Sequence, residues 1–480
     1  MLLRVLLLAP VLMFVGSWPA LAPTDPDYWW HVRTGQLIFD TGSMPRADVF
    51  SWTAAGQPWI AHEWLTELVL YALQVRVGYV ANVLLIGALG SLAAVALFAT
   101  CRRWGAGDLL AIVLVLWAFG MSLGSFGVRP QSLTRVLLTV LALLLVVYRQ
   151  TRDARLLWLL PPLFALWSNL HGGFAVGLAL LGLSVLGETI GAWRLNTLRS
   201  AAPLAMVFVA SAAATLLTPN GLAGLLYPLS YAQTSFGGQQ LVAEWQPPDL
   251  RQLSFAPFGL SIVLALGLGL SRRPLALTDT LVALGFTLLA LQSVRNIQLY
   301  ATVVTPLIGA RLAAEVPSLR RLVSAWRRPL RFAALWSAVA MLCAAVWILR
   351  FTQTPAWGLQ LGREPLATVY PVGGATYLRD HALRGRLFNQ FEWGGYLIYA
   401  SYPEQRVFVD GRPDMYGPQV LNEYVTVERL LPGWREVLAA RDVSLLLIDR
   451  DGPLAAEVGR DARWRELYIG PVERLFERAP

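Results

Sequence analysis

The chain has 480 residues, of which 56% are hydrophobic and only 14% are charged. A soluble chain carries about 25% charged residues, so this composition excludes an ordinary globular enzyme and indicates an integral membrane protein with an added soluble portion. The net charge of +9 comes from arginines scattered between apolar runs and not from a basic tract, so no nucleic-acid partner is expected.

Apolar runs long enough to cross a membrane occur roughly eleven times along the chain. Arginines cluster at alternate ends of these runs, and the positive-inside rule places those ends in the cytoplasm. The predicted fold class is therefore mainly α, a polytopic transmembrane protein with its N-terminus inside and its C-terminus outside. The predicted spans lie near Leu2–Leu21, Tyr79–Cys101, Leu109–Phe126, Ser132–Tyr148, Leu156–Leu170, Phe174–Trp193, Ala201–Leu217, Phe255–Leu270, Leu275–Val294, Gln298–Leu312 and Phe332–Leu349.

The first apolar run has a second interpretation. Ala20-Leu21-Ala22 has the small-residue pattern of a signal-peptide cleavage site. The charged segment before the run is minimal, however, so an uncleaved first span is favoured.

The first long external loop, residues 23–77, opens with Asp25-Pro-Asp27-Tyr-Trp-Trp-His31. Ionisable groups are costly near lipid and tend to mark function there. Carboxylate oxygens suit hard cations such as Mg²⁺ or Mn²⁺, and a carboxylate also acts as a general base without metal. The structural alternative is a helix N-cap followed by a turn. We predict Asp25 and Asp27 as catalytic residues and metal ligands.

Further along this loop, His62 and Glu63 precede apolar residues at helical spacing. The pattern predicts an amphipathic helix over Glu63–Val75, lying in the membrane interface. Glu63 is predicted as a third catalytic residue that completes a carboxylate cluster with the Asp pair, while His31 and His62 contribute to substrate binding. The structural alternative is that Glu63 only favours the helix dipole and His62 is an interfacial polar residue.

Arg129 and Arg295 fall on the predicted external side, against the positive-inside trend. Binding a lipid phosphate would explain both, because the guanidinium fork matches phosphate oxygens; snorkelling to the interface is the alternative. His171, before two glycines, and Glu244, in a second long loop, are further substrate-binding candidates. The alternatives are a tight turn for His171 and an exposed loop acid for Glu244.

The tail, residues 351–480, alternates predicted strands and helices, which favours a small extracytoplasmic α/β domain separate from the membrane domain of residues 1–350. Trp393 and Tyr396 are expected to stack on sugar faces. The alternative is a glycine-rich strand turn beside a structural Asp410–Arg412 pair. Predicted elements are a helix over Thr376–Leu383, strands within Gly385–Ala400 and Arg406–Asp410, a helix over Leu430–Ala440 and a strand over Val443–Ile448.

The Asp pair after the first span, the interfacial helix behind it and the exported C-terminal domain resemble the GT-C glycosyltransferases. These membrane enzymes take sugars from polyprenyl-phosphate carriers. The resemblance implies transfer of a sugar to a glycan, lipid or protein acceptor at the extracytoplasmic face of a bacterial inner membrane, with Mg²⁺ or Mn²⁺ as a candidate cofactor and membrane lipid as a partner. The Trp393-Gly-Gly-Tyr396 stretch is also distantly similar to the acceptor motif of oligosaccharyltransferases.

Three other functions stay open. An O-antigen-type glycan polymerase or ligase would depend on Arg129, His171 and Arg295 without metal. A lipid or solute transporter would use charges within spans, for which Glu188, Arg135 and Asp279 are the candidates. A non-catalytic scaffold with the same fold is the third.

Overall fold

The computed structural model describes residues 2–21, 25–228, 242–269, 275–316 and 366–479. The predicted span Phe332–Leu349, the Arg320–Arg331 cluster and the predicted domain boundary at residue 350 lie outside these residues. The described chain is mostly helical, with one small sheet near its C-terminus. It divides into two compact units, a helical unit (described parts of 1–22, 83–225 and 243–354) and a mixed unit (described parts of 23–82, 226–242 and 355–480). The first loop therefore groups with the tail and not with the apolar helices.

The main helices, in chain order, are α1 Leu2–Leu21, α2 Asp27–Thr41, α3 Trp64–Arg76, α4 Tyr79–Arg103, α5 Asp108–Gly120, α6 Gln131–Thr151, α7 Leu160–Leu170, α8 Phe174–Arg194, α9 Ala202–Ala214, α10 Ala256–Gly269, α11 Leu277–Gln292, α12 Ile297–Glu315, α13 Val372–Asp380, α14 Gly394–Ser401, α15 Pro413–Glu428, α16 Trp434–Ala440 and α17 Pro453–Val458. The strands are β1 Leu387–Asn389, β2 Leu445–Asp449, β3 Trp464–Ile469 and β4 Glu473–Arg478.

Within the described residues, four helices are both long and apolar enough to cross a membrane: Tyr79–Arg103, Gln131–Thr151, Phe174–Arg194 and Val294–Glu315. Shorter apolar helices occur at five further predicted spans. The chain is therefore a multi-pass membrane protein by composition and length. The total of roughly eleven spans and the orientation stay predictions.

Several charged groups of the helical unit form ion pairs between helices. Arg149 of α6 makes an ion pair with Asp279 of α11 and approaches Glu188 of α8, its Nε lying 3.4 Å from Oε1. Arg152 Nη1 also contacts Glu188 Oε2, at 2.9 Å. Glu188 and Asp279, two of the three candidate transporter charges, therefore form ion pairs between helices. The third, Arg135, is buried with its guanidinium 3.6 Å from the centre of the Phe119 ring.

In the mixed unit, α2 and α3 pack closely against each other. Helix α2 ends at Gly42, whose φ of 63° is the left-handed conformation that favours glycine. The two helices meet at Gly35, where a Cβ atom would lie 2.1 Å from the carbonyl oxygen of Glu67. Helix α3 buries Glu67 and leaves Val69 and Val75 exposed. Exposed apolar side chains suit a helix on a membrane surface, and that location stays a prediction.

The sheet has the strand order β1-β2-β4-β3, with β1 and β2 parallel and the other pairs antiparallel. Strand β2 is buried along most of its length because it lies between neighbours in the middle of the sheet. The predicted partly parallel α/β arrangement is therefore correct for the tail.

Three local predictions in the tail were wrong. Strand β1, Leu387–Asn389, does lie within the region Gly385–Ala400 predicted to contain strands, but the Trp393-Gly-Gly-Tyr396 part does not continue as strand and α14 begins at Gly394. Gly395 is in close contact there, since a Cβ atom would lie 2.4 Å from the carbonyl oxygen of Pro26. The stretch Arg406–Asp410 is extended but outside the sheet, with Val407 making only an isolated bridge to Ser51. The helix predicted from Leu430 begins at Trp434.

Candidate functional site

The Asp pair lies at the start of α2. The Oδ1 atom of Asp25 accepts a hydrogen bond from the Asp27 backbone N–H at 3.0 Å, and Trp30 Nε1 donates to Asp27 Oδ1 at 3.0 Å. The N-terminal end of a helix favours a carboxylate electrostatically. A Cβ at Gly411 would lie 1.7 Å from Asp27 Oδ1, so this carboxylate rests against the chain at Gly411. Both aspartates are half-buried, which leaves the site accessible in part.

An aromatic cluster packs on the same helix. Tyr370 and Tyr396 stack with ring centres 5.2 Å apart, and Trp29 meets both rings edge-on. Burial, followed by the charge of Tyr399, raises the pKa of Tyr396 to about 12. Trp393 is also buried and donates from Nε1 to the Val369 carbonyl at 3.1 Å. Both predicted sugar-stacking residues thus take part in internal packing, and their contact with sugar stays a prediction.

Arg412 is the centre of a buried charge group. Its Nε and Nη2 atoms donate to Asp410 at 2.8 and 2.6 Å, and Nη2 also lies 3.0 Å from Asp48 Oδ1. Its guanidinium carbon lies 4.6 Å from the centre of a Trp59 ring. Burial alone would lower the pKa of Arg412, but Asp410 and Asp48 outweigh it and hold that pKa well above its ordinary value. The predicted structural Asp410–Arg412 pair is present, with Asp48 as an added partner.

A second carboxylate group surrounds His31. Its Nδ1 atom lies 3.1 Å from Glu67 Oε1, and its Nε2 atom lies 3.6 Å from Glu63 Oε2. His62 approaches Glu63 from the other side, with Nε2 3.6 Å from Oε1. Burial, followed by the charge of His62, lowers the pKa of His31 well below its ordinary value. Burial, followed by the charge of Glu63, raises the pKa of Glu67 well above its ordinary value.

Sequence analysis named His31, His62 and Glu63 but missed Glu67 and Asp48. The signal for Glu67 was available, because positions four apart lie on one face of a helix and Glu63 precedes Glu67 by that spacing. Asp48 had no local signal, since its partner Arg412 comes from the tail.

The helical unit brings three predicted residues together. Arg129 Nη2 lies 2.9 Å from Glu244 Oε2, and Arg295 Nε lies 4.0 Å from Glu244 Oε1. Arg129 is buried, whereas Arg295 and Glu244 are half-buried. Burial alone would raise the pKa of Glu244, but Arg129 and Arg295 outweigh it and hold that pKa below its ordinary value. The arrangement concentrates two guanidinium groups on one anion.

His171 belongs to a different hydrogen-bond group of the helical unit. Its Nδ1 atom accepts from the Gly173 backbone N–H at 2.8 Å and lies 2.7 Å from Thr134 Oγ1. Trp167 Nε1 donates to the same threonine oxygen at 3.0 Å. Because Nδ1 is an acceptor, the neutral ring carries its proton on Nε2. His171 thus stabilises the predicted tight turn through its hydrogen bond with the Gly173 backbone N–H.

Comparison with solved structures finds similar folds over nearly the whole chain. The archaeal oligosaccharyltransferase AglB from Archaeoglobus fulgidus, in complex with an inhibitory peptide and a dolichol-phosphate, has 11% identity and a TM-score of 0.59, with 93% of this chain and 69% of AglB covered. ArnT from Cupriavidus metallidurans, bound to undecaprenyl phosphate, has 14% identity and a TM-score of 0.51, with 98% and 96% covered.

The arabinofuranosyltransferase AftD from Mycobacteria has 14% identity and a TM-score of 0.55, with 99% of this chain and 40% of AftD covered. No protein-family model matches the chain, and no curated protein sequence matches it. At these identities the likeness is one of fold. The solved neighbours are GT-C glycosyltransferases, so this chain has the GT-C fold that its first loop led us to expect.

Proposed function

We propose that this protein is a membrane glycosyltransferase that moves a sugar from a polyprenyl-phosphate carrier to an acceptor hydroxyl. The observation that carries the proposal is the Asp27 carboxylate, fixed by Trp30 and by Gly411 at the start of α2 in a chain with the GT-C fold. A carboxylate held in one orientation is suited to remove a proton from a nucleophile.

The chemistry follows from this position. Asp27, or Asp25 beside it, takes the proton of the acceptor hydroxyl as that oxygen attacks the anomeric carbon. A new carbon–oxygen bond forms to the acceptor, and the bond to the carrier phosphate breaks. Polyprenyl phosphate leaves with the bonding electrons, and negative charge grows on its oxygens.

Mg²⁺ or Mn²⁺ is the cofactor that we propose for the Asp pair. Each aspartate already has one oxygen in a local hydrogen bond. Two carboxylates therefore provide few protein ligands, which fits Mg²⁺, an ion that keeps waters and binds substrate phosphate alongside one or two carboxylates. The bound ion would neutralise phosphate charge.

Arg129 and Arg295 are the proposed binding residues for the carrier phosphate. They already hold one anionic group, the Glu244 carboxylate, and a phosphate offers three oxygens to the same donors. In this proposal Glu244 occupies the position of the phosphate while no carrier is bound. AglB and ArnT have been solved with dolichol-phosphate and undecaprenyl phosphate, which supports a carrier of that class.

Placement in a bacterial inner membrane, with the mixed unit on the extracytoplasmic side, belongs to the same proposal, as does a glycan, lipid or protein acceptor. The grouping of Arg129, Glu244 and Arg295 also suits the alternative of an O-antigen-type polymerase or ligase. In that alternative the two arginines and His171 carry the reaction, and the Asp pair is dispensable.

The test is to purify the wild type and the Asp25→Asn/Asp27→Asn double variant in mild detergent and to identify co-purifying lipids by mass spectrometry. We expect polyprenyl phosphate on the wild type and sugar-loaded carrier on the double variant, because transfer is blocked after binding. Equal amounts of free carrier on both proteins would favour the polymerase or ligase. Bulk phospholipid alone on both proteins would overturn the proposal.

A further inference from the structure

The group formed by His31, Glu63 and Glu67 is distinct from the Asp pair. Glu63 is the N-cap residue before α3, and Glu67 lies in the first turn of that helix, its backbone N–H donating to the Glu63 carbonyl at 3.0 Å. His31 and Gly35 are four residues apart on α2 and share the facing side. Since Gly35 has no side chain, α3 approaches until a Cβ at that position would touch the Glu67 carbonyl. The close contact places the imidazole between the two carboxylates.

Hydrogen bonds alone leave this group incomplete. A neutral imidazole has a single N–H, yet a carboxylate oxygen faces each ring nitrogen. The 3.6 Å separation between His31 Nε2 and Glu63 Oε2 is too long for a hydrogen bond. In the described part of the chain, Glu67 Oε2 is buried and has no hydrogen-bond partner. Glu67 is only 1% exposed, and a buried carboxylate oxygen is expensive to leave unpaired.

The neighbouring charges do not supply the missing partner. Arg412 acts electrostatically on both His31 and Glu67, but its Nε and Nη2 donors are directed at Asp410 and Asp48. Its Nη1 makes no hydrogen bond to Glu67 within the described residues. His62 Nε2 lies 3.6 Å from Glu63 Oε1. A positive charge inside the group would offset both glutamates at once.

We propose that His31, Glu63 and Glu67 bind a divalent transition-metal ion, Zn²⁺ or Mn²⁺, between α2 and α3. One ligand atom from each residue lies within 4.8 Å of the other two. Ligands of a tetrahedral zinc ion are roughly 3.3 Å apart, so a small contraction around the ion completes the site. One imidazole and two carboxylates are a donor set that zinc and manganese accept, whereas Mg²⁺ prefers oxygen alone.

The ion would have a positioning role. Helix α2 begins with Asp27, one turn before His31, and α3 contacts α2 mainly through the face that carries the two glutamates. Fixing His31 to α3 therefore fixes the orientation of the whole helix that presents Asp27. This inference does not depend on the proposed sugar transfer, because metal content is measured without any substrate.

The experiment uses full-length protein in mild detergent, with any purification tag removed. Metal content is measured by mass spectrometry after dialysis against EDTA and again after loading with Zn²⁺, Mn²⁺ or Mg²⁺ alone. The measurement is made on the Asp25→Asn/Asp27→Asn protein, in which the Asp pair no longer offers a site for Mg²⁺ or Mn²⁺. We expect about one equivalent of Zn²⁺ or Mn²⁺ per chain after removal of free ions, a raised apparent melting temperature, and no retained Mg²⁺. Co²⁺ loading should give visible absorption bands.

Matched variants separate this site from surface binding. In the Asp25→Asn/Asp27→Asn background, Glu67→Gln and His31→Gln should lose the bound ion, whereas Glu404→Gln and His381→Gln, which change exposed residues of the same unit, should keep it. Retention of a full equivalent by Glu67→Gln would overturn the proposal. If the Glu67 and His31 variants fail to fold, the Asp25→Asn/Asp27→Asn protein decides alone: no stoichiometric metal and no cobalt bands after loading would leave a shared proton as the explanation of the cluster.

Discussion

The carboxylate of Asp27 rests against the backbone of Gly411. A Cβ atom at that glycine would lie 1.7 Å from Asp27 Oδ1, far inside van der Waals contact. The same oxygen accepts the Trp30 indole hydrogen bond, so it cannot move away without breaking that contact. The position of the proposed catalytic base therefore depends on a residue of the tail that has no side chain.

Gly411→Ala should displace Asp27 and stop transfer without removing carrier binding. Overpacking at a rigid contact costs about 1–3 kcal/mol, so the protein should fold with a lowered apparent melting temperature. Sugar-loaded carrier should accumulate on the purified variant, as on the double Asp variant. Gly191→Ala is the control, because a Cβ there meets no atom within 4 Å. Wild-type melting and no accumulated carrier in Gly411→Ala would contradict the contact.

Much of the helical unit could be predicted from sequence, because a membrane span needs only one local property, a long apolar run. The helix over Glu63–Val75 was likewise predictable from its spacing, and the structure gives Trp64–Arg76. The Trp393-Gly-Gly-Tyr396 stretch failed as a strand because its glycines serve a contact with Pro26, which is remote in sequence. Local propensity contains no information about that contact.

The candidate site also contains residues with a local sequence signal and residues that become partners only through contacts remote in sequence. Asp25, Asp27 and Glu63 stand out as charges in an aromatic loop, so a local search finds them. Glu67 sits inside an apolar helix and becomes notable only when α2 lies against it. Asp48 and Arg412 come from opposite ends of the chain, and only the folded mixed unit makes them partners.

Arg412→Gln should strongly destabilise the mixed unit. The change leaves the buried carboxylates of Asp48 and Asp410 without their shared cation, and removing one partner of a buried pair typically costs about 3–5 kcal/mol. The measurement is the apparent melting temperature, or protease resistance of the tail at fixed temperature. Arg435→Gln is the control, since its pair with Asp461 is partly exposed and should contribute no more than about 1 kcal/mol. Equal effects of both changes would show that burial does not matter here.

The metal-free protein should lose stability through Glu67 as the pH rises. Burial, followed by the charge of Glu63, raises the pKa of Glu67 above its ordinary value of 4.5. Above pH 4.5 the native state therefore holds a proton that the unfolded chain has lost, so the free energy of unfolding falls with pH until the raised pKa is passed. Glu67→Gln cannot titrate and should lack this slope.

His31 contributes the opposite dependence in the same cluster. Burial, followed by the charge of His62, lowers the pKa of His31 below its ordinary value of 6.5. Below pH 6.5 the unfolded chain therefore binds a proton at His31 that the native state does not bind. Stability through His31 thus falls as the pH drops. The difference between wild type and Glu67→Gln, measured in EDTA from pH 5 to 8, isolates Glu67. A difference that is constant with pH would show that Glu67 ionises normally.

Glu244→Gln should strengthen binding of the carrier phosphate. Glu244 neutralises Arg129 and Arg295, and the guanidinium groups of these arginines hold the pKa of Glu244 below its ordinary value. The carboxylate is therefore ionised at neutral pH and competes with phosphate for the two arginines. Glutamine removes that charge and keeps the shape. A charge-assisted hydrogen bond contributes about 1.5–3 kcal/mol, so the amount of retained polyprenyl phosphate at limiting supply should rise about tenfold or more.

Arg129→Gln and Arg295→Gln should lower the amount of retained polyprenyl phosphate. Asp249→Asn, whose half-exposed carboxylate accepts a hydrogen bond from Arg251 of the same loop, is the control. Unchanged carrier retention in Glu244→Gln, with reduced retention in Arg295→Gln, would mean that phosphate binds Arg295 without displacing Glu244. Unchanged retention in Glu244→Gln, Arg129→Gln and Arg295→Gln would show that these residues do not bind the carrier.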